Sequence, residues 1–356
     1  MFYLSLWSGL VFVRYALSGL ADRKRLYPLV LLGFVLLSAF RFDVGCDWNG
    51  YYRQYVVFAN LPWEIVWTSQ DPLWVALIVA LNGMEIEYPW LNVISSGVFF
   101  WGMHALARRQ PDPLSFIILL FPILIINMPM SGIRQGGAIG LMGFAFVAFL
   151  DKRPFRLAAI TVAATLVHSS AMIFLLLLPF VFGRFSAQRV ISAILVSLPA
   201  LFAILQTDSA SLAFERYVES GIDAAGAFFR LASLFLTGLF FFFVLSRSWR
   251  RRFPEDYGLV AVGALAMTAM IALLPISSVI GDRFGYYLIP FQAMIFARIP
   301  LLSISKSKSI WIALPYVALF ALTAVWINLS WIFEICYIPY RSWIFGYPVP
   351  LEQSVL

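Results

Sequence analysis

Residues 113–150 read "PLSFIILLFPILIINMPMSGIRQGGAIGLMGFAFVAFL". Two apolar runs, 113–130 and 134–150, meet at a break built from Pro129, Gly132, Gly136 and Gly137, and Arg134 stands inside it. A run of about 20 apolar residues crosses the hydrocarbon core of a bilayer as a helix. Both runs are unbroken, whereas the strands of a membrane barrel alternate apolar with polar residues. The stretch therefore reads as two membrane helices joined by a short turn that keeps a permanent cation.

The rest of the chain follows the same pattern. Of its 356 residues 62% are hydrophobic and 12% charged, with a mean hydropathy of +0.87. A soluble domain is nearer half apolar and a quarter charged. Further spans are expected near 3–21, 26–40, 88–107, 190–206, 230–246, 257–276, 284–302 and 310–332. The run 155–183 carries His168-Ser169-Ser170 at its centre and basic residues at both ends, which predicts two short helices meeting at the histidine. Residues 71–83, "DPLWVALIVALNG", are too short to span and predict a re-entrant or interfacial helix. The expected fold is all-α: one integral membrane domain over residues 1–356, a polytopic bundle of about 12 transmembrane helices. The first apolar segment runs into "ADRKRLYP", the reverse of a signal peptide's order, so no cleavable leader is expected.

Charge orients the bundle. This arrangement places 17 of the 25 basic residues on one side, among them Arg23, Lys24, Arg25, Lys152, Arg251 and Lys306. Arg14 lies in the first span and snorkels to that side. The other side keeps seven: Arg41, Arg53, Arg134, Arg216, Arg230, Arg283 and Arg341. The basic-rich side is cytoplasmic. The net charge of +7 then belongs to cytoplasmic loops, and no nucleic-acid partner is expected. All seven outer cations are arginine, the residue whose planar fork suits a phosphate-type oxyanion. Cys46 and Cys336 offer no metal framework; both fall on the oxidising side, where a bridge between them is open.

Five outer motifs carry candidate chemistry. "RFDVGCDWNGYYRQY", 41–55, supplies Arg41 at a helix end, a turn at Gly45, Asp47, and the aromatics Trp48, Tyr51 and Tyr52. Its plainer reading is an interfacial loop with an aromatic belt and a local Arg–Asp pair. In the break at 127–140, glycines expose backbone N–H groups near a helix start, a place that attracts anions. A snorkelling arginine is the alternative, but a cation near the membrane core is costly without a purpose. "LVHSSAM", 166–172, places His168 at a hairpin tip, as acid, base or donor, or as a cap for freed backbone groups. "PISSVIGDRFGYYLIP", 275–290, brings Arg283 and Tyr286 after a break; adjacent Asp282 and Arg283 do not face each other on a helix. "YIPYRSWIFGYP", 337–348, holds Arg341 among aromatics and reads as an interfacial tail as readily as a site. The second histidine, His104, lies near a cytoplasmic helix end and reads as packing.

In "RFDVGCDWNGYY", "SGIRQGGAIG", "LVHSSAM", "GDRFGYYLIP" and "YIPYRS" the chain resembles the EpsG family of exopolysaccharide and O-antigen polymerases, which are Wzy-like, from residue 41 to residue 342. It departs from the family pattern at Cys46, commonly a small hydroxyl residue, and at Val167, commonly aromatic. The resemblance implies a GT-C-like glycosyltransferase of the bacterial inner membrane. It would join undecaprenyl-diphosphate-linked oligosaccharide units at the periplasmic face, with membrane lipid around it and room for a chain-length regulator as partner. No cofactor and no metal are implied. Arg41, Arg134, Arg283 and Arg341 would stabilise the departing diphosphate. Asp47 or His168 would act as base, with Asp282 a third choice, and Trp48, Tyr51, Tyr52 and Tyr286 would pack against sugars. A lipid-linked oligosaccharide flippase also needs many helices and arginines, but spread along a transmembrane path. An O-antigen ligase or acyltransferase of similar build is the other alternative; the ligase differs in its acceptor, lipid A core, which no residue here reports.

Reporter fusions test this orientation. Segments following Arg41, Arg134, His168, Arg283 and Arg341 should report the periplasm, and those at Lys152, Arg251 and Lys306 the cytoplasm. A cytoplasmic signal after residue 134 removes the shared outer site.

Overall fold

The computed structural model describes residues 1–183, 185–195, 226–304 and 307–351. Among these the ordered backbone is helical, and β pairing is limited to an isolated bridge between Arg41 and Ser342. The chain packs as two compact units, residues 1–147, 159–172 and 313–356 in one and 148–158 and 173–312 in the other.

The first unit opens with α1 (Phe2–Ala16) and α2 (Leu20–Ala39). Three short helices follow: α3 (Trp48–Val57), α4 (Trp63–Thr68) and α5 (Pro72–Gly83). Then come α6 (Pro89–Ala107), α7 (Pro113–Leu120, prolonged by a π turn, Phe121–Ile125), α8 (Ile133–Leu150) and α9 (Pro154–Val167). Helices α5, α6, α7 and α9 each begin on proline, whose fixed φ suits the first turn and whose missing N–H removes a donor that would have no partner there. At about 1.5 Å per residue α5 measures about 18 Å against a core of about 30 Å, so it does not span. It packs under α3 through Trp48, Tyr51, Tyr55, Trp74, Ile78 and Tyr88, an aromatic cluster beside the break at 127–133.

α6 and α8 touch backbone to backbone. A Cβ on Gly102 would collide with the carbonyl of Gly140, and one on Gly140 would lie 2.5 Å from the Cα of Phe99. Lipid is as apolar as leucine, so close approach and dispersion hold membrane helices together where hydrophobicity does not.

In the second unit the rod Ala227–Arg252 packs against Tyr257–Ala269 and Ser278–Arg298. Ile133–Leu150, Ala227–Arg252 and Lys308–Leu329 are, of the described helices, long and apolar enough to cross a membrane. The expected span at 190–206 continues past residue 195 outside the described residues, as do Arg184, Arg216 and Lys306.

Two expectations change. The hairpin does turn at His168, but its second arm is a 3-10 helix, Ser169–Phe180. The helix carrying Arg283 starts at Ser278 and not near 284, because Ser277 Oγ accepts the Ile280 N–H at 3.3 Å and starts it early. Gly281, read as part of a break, is helical; a Cβ there would lie 2.8 Å from Leu231 Cδ1, so the glycine serves packing.

Two glycines of α6 and α8 separate packing from propensity. Gly140→Ala should cost about 1–3 kcal/mol by overpacking. Gly97→Ala, with nothing within 4 Å of the new methyl, should be neutral or slightly stabilising. Thermal unfolding in detergent reads both, and equal melting temperatures would refute the close crossing.

Candidate functional site

The loop from α2 to α3 is held in shape by backbone geometry. Asp43 (φ 51) and Gly45 (φ 104) both adopt left-handed conformations, and a Cβ on Gly45 would strike the carbonyl of Met130. The chain's end pairs with this loop: Phe42 N–H donates to Arg341 O at 2.9 Å and Trp343 N–H to Phe40 O at 3.0 Å. Cys46 and Cys336 are joined in a disulfide with Cα atoms 4.7 Å apart, and Gly45 N–H donates to Cys336 O at 2.7 Å. The bridge that the sequence leaves open is therefore formed, and it gives Cys46 a structural role.

Inside this loop Arg41 is 0% exposed. Its Nε donates to Val44 O at 2.9 Å, Nη1 to Ser38 O at 2.7 Å and Nη2 to Asn92 Oδ1 at 2.6 Å, and the guanidinium lies 5.7 Å from the Trp48 ring centre. A cation so caged organises the loop and does not reach a ligand. Arg341 is more open, its Nη1 3.8 Å from Asp43 Oδ2. Partial burial pushes the Asp43 carboxyl above its ordinary value, against the pull of Arg341.

The break at 127–133 lies against the same loop. Ser131 Oγ donates to Asp47 Oδ2 at 3.2 Å and accepts the Asp47 N–H at 3.3 Å, so an exposed carboxylate is tied to the turn before α8. Ser95 Oγ anchors the turn by donating to Ile133 O at 2.6 Å. Arg134 stands in the first turn of α8, where the helix dipole disfavours a cation. Asp71 offsets that cost: Arg134 Nη1 donates to Asp71 Oδ2 at 2.8 Å. Arg134 Nε is buried without an acceptor.

The other oxygen of Asp71 reaches the histidine turn, accepting the Ser169 N–H at 2.8 Å. His168, 5% exposed, sits at the end of α9, and Val167 before it packs near Gly137 of α8. Its Nδ1 lies 2.7 Å from Ser170 Oγ and accepts the Ser170 N–H at 3.4 Å. A ring nitrogen that accepts a backbone N–H holds its lone pair there, so the neutral ring carries its proton on Nε2. His104 packs as expected, its ring stacked on Tyr27 and its Nδ1 2.9 Å from the phenol oxygen.

In the second unit Asp282 is clasped by Arg230, with Nε to Oδ1 at 2.6 Å and Nη2 to Oδ2 at 2.8 Å. Arg230 lies 5.6 Å from the Tyr286 ring centre, and Arg283 is half-buried one residue on. Asp282 is thus a structural counter-ion more than a base. The aromatic assignments shift as well. Trp48 is 2% exposed and packs edge-on with Tyr88 at 4.9 Å, and Tyr51 packs the same way on Trp74 at 5.4 Å. Both spend their rings on the core, as does buried Tyr286, whereas Tyr52 is half-buried.

The first unit therefore links Asp47, Arg134 and the His168 turn through Ser131 and Asp71, with Arg41 and Arg341 holding the loop. Arg283 belongs to the second unit. Sequence reasoning misses Asp71, Asn92, Ser131 and Arg230; only Asp71 carries a local signal, an acid directly before a proline-started helix.

The chain belongs to the EpsG family, whose model matches residues 24–342. No curated protein and no solved structure matches it. Membership makes it an integral membrane protein of polysaccharide biosynthesis, a Wzy-like polymerase in general terms.

The disulfide gives a direct check. Alkylation of the unreduced, denatured protein should label neither cysteine, and prior reduction should expose both. Labelling without reductant would contradict the bridge.

Proposed function

We propose that this EpsG-family chain is a GT-C-like glycosyltransferase of about 12 membrane spans. It joins undecaprenyl-diphosphate-linked oligosaccharide units at the periplasmic face of the bacterial inner membrane. The observation that carries this reading is the linkage of Arg134, Asp47 and the His168 turn at one helix junction. It gathers an oxyanion donor, a carboxylate base and an imidazole N–H on the face that the charge distribution assigns to the periplasm.

In the proposed reaction an acceptor sugar hydroxyl attacks the anomeric carbon of the growing glycan. The bond from that carbon to the diphosphate breaks, and the lipid diphosphate leaves with the electron pair. Asp47, exposed and oriented by Ser131, takes the hydroxyl proton. Arg134, with Arg341, stabilises the charge that develops on the leaving group, without a metal. His168 donates through Nε2–H, a role its Ser170 contacts favour over that of base. Arg41 keeps the Asp47 loop in place. Tyr52 is the sugar-packing ring nearest to solvent among those of the loop.

Polymer formation from purified lipid-linked units tests the reading. Arg134→Lys keeps the charge and loses the fork, so it should slow polymerisation by about 10²–10³. Asp47→Asn should lose about 10²–10⁴. His168→Gln, which retains an N–H donor, should keep most activity, whereas His168→Ala should not. A wild-type rate for Arg134→Lys, with expression and dispersity matched, would show this arginine to be structural. In cells, deletion should leave single units displayed without polymer; units retained on the cytoplasmic side would mean a flippase.

A further inference from the structure

The sequence uses the same local phrase twice: "DPLW" at 71–74 and "DPLS" at 112–115. Both acids precede a helix that starts on proline, the usual place for a capping carboxylate. Asp112 does cap, accepting the Ser115 N–H at 3.0 Å. Asp71 makes no such bond to its own helix. Its carboxylate, 4% exposed, turns to two distant segments, Arg134 at 2.8 Å and the Ser169 N–H at 2.8 Å. α5 is too short to span, yet it brings this one carboxylate to the junction of α8 and the histidine turn.

We infer that Asp71 is a positioning residue that fixes Arg134 and the His168 turn in a single geometry. This rests on the polymerase reading and deepens it. The inference follows from the two oxygens. Arg134 and Ser169 both donate, so Asp71 must accept on both sides. A carboxylate does that; a carboxamide does not, because whichever way it lies its NH₂ confronts a donor. Asp71→Asn keeps the shape and necessarily breaks one arm. A guanidinium released from Asp71 loses its set direction, and leaving-group stabilisation depends on donors that are preorganised.

The test is a double-mutant cycle between Asp71→Asn and Arg134→Lys in the intact protein, with two readouts. One is the steady-state rate of polymerisation. The other is the thermal shift on adding undecaprenyl diphosphate in detergent, which needs no turnover. Asp71→Asn alone should lower kcat by about 10- to 100-fold with KM little changed. In the Arg134→Lys background the same change should cost less than about threefold, because residues acting as one unit are not additive. The thermal shifts should be coupled in the same sense. If the factors multiply, or Asp71→Asn turns over at the wild-type rate, Asp71 is a structural ion-pair partner and the inference fails while the polymerase reading stands. If wild type makes no polymer but the shifts are coupled, the polymerase reading fails and the positioning role holds. No polymer and no shift in the wild type overturn both. Should Asp71→Asn not fold, Asp71→Glu retains both oxygens on a longer stem, and its cycle with Arg134→Lys is read the same way.

Discussion

A guanidinium keeps its charge at any pH the cell offers, so a chain that buries one must surround it with acceptors. That requirement ties this protein's helices together. Arg14 of α1 donates to Ser115 of α7 at 2.9 Å, and Arg23 of α2 reaches Asp112 at the head of α7, also at 2.9 Å. Arg41 binds the end of α2 to Asn92 of α6. In the second unit Arg230 clasps Asp282, and Arg298 pairs with Asp256, which also accepts from Trp249. Apolar contact alone cannot fix the register of such helices, because lipid competes for the same surfaces. An ion pair has no substitute in lipid, so each one pins a particular crossing.

The helices themselves were legible wherever a local rule sets them. Proline starts α5, α6, α7 and α9 near the positions read from the sequence, and the shortness of 71–83 was enough to deny it a span. The turn at His168 was legible because a polar triplet interrupts an apolar run. What escaped was mostly pairing. Asp71 lies 63 residues from Arg134, Arg230 lies 52 from Asp282, and Arg41 lies 51 from Asn92. No periodicity links such positions. Aromatic roles escaped for a related reason: Trp48 and Tyr51 fit a sugar platform and a core equally well, and only the depth of the loop decides. Gly281 misled because glycine marks both turns and tight packing, and here it serves packing.

Arginine at the seven positions read as outer from the sequence has two separate causes. Arg41 spreads three donors over three acceptors, and Arg230 lays parallel bonds on one carboxylate. Lysine, with its donors on one nitrogen, would satisfy neither arrangement. For these two residues the fold alone demands arginine, and they say nothing about a ligand. Arg134 is different. One Nη rests on Asp71, the side chain is 27% exposed, and Nε is buried with no acceptor. A buried donor left without a partner costs about 1–3 kcal/mol. A purely structural ion pair would gain from turning that donor to a carbonyl. Nε itself is sealed from solvent, so in the proposed reaction an incoming diphosphate oxygen meets the exposed part of the Arg134 side chain. That places the phosphate preference of the proposed reaction in Arg134 more than in the count of arginines in the sequence.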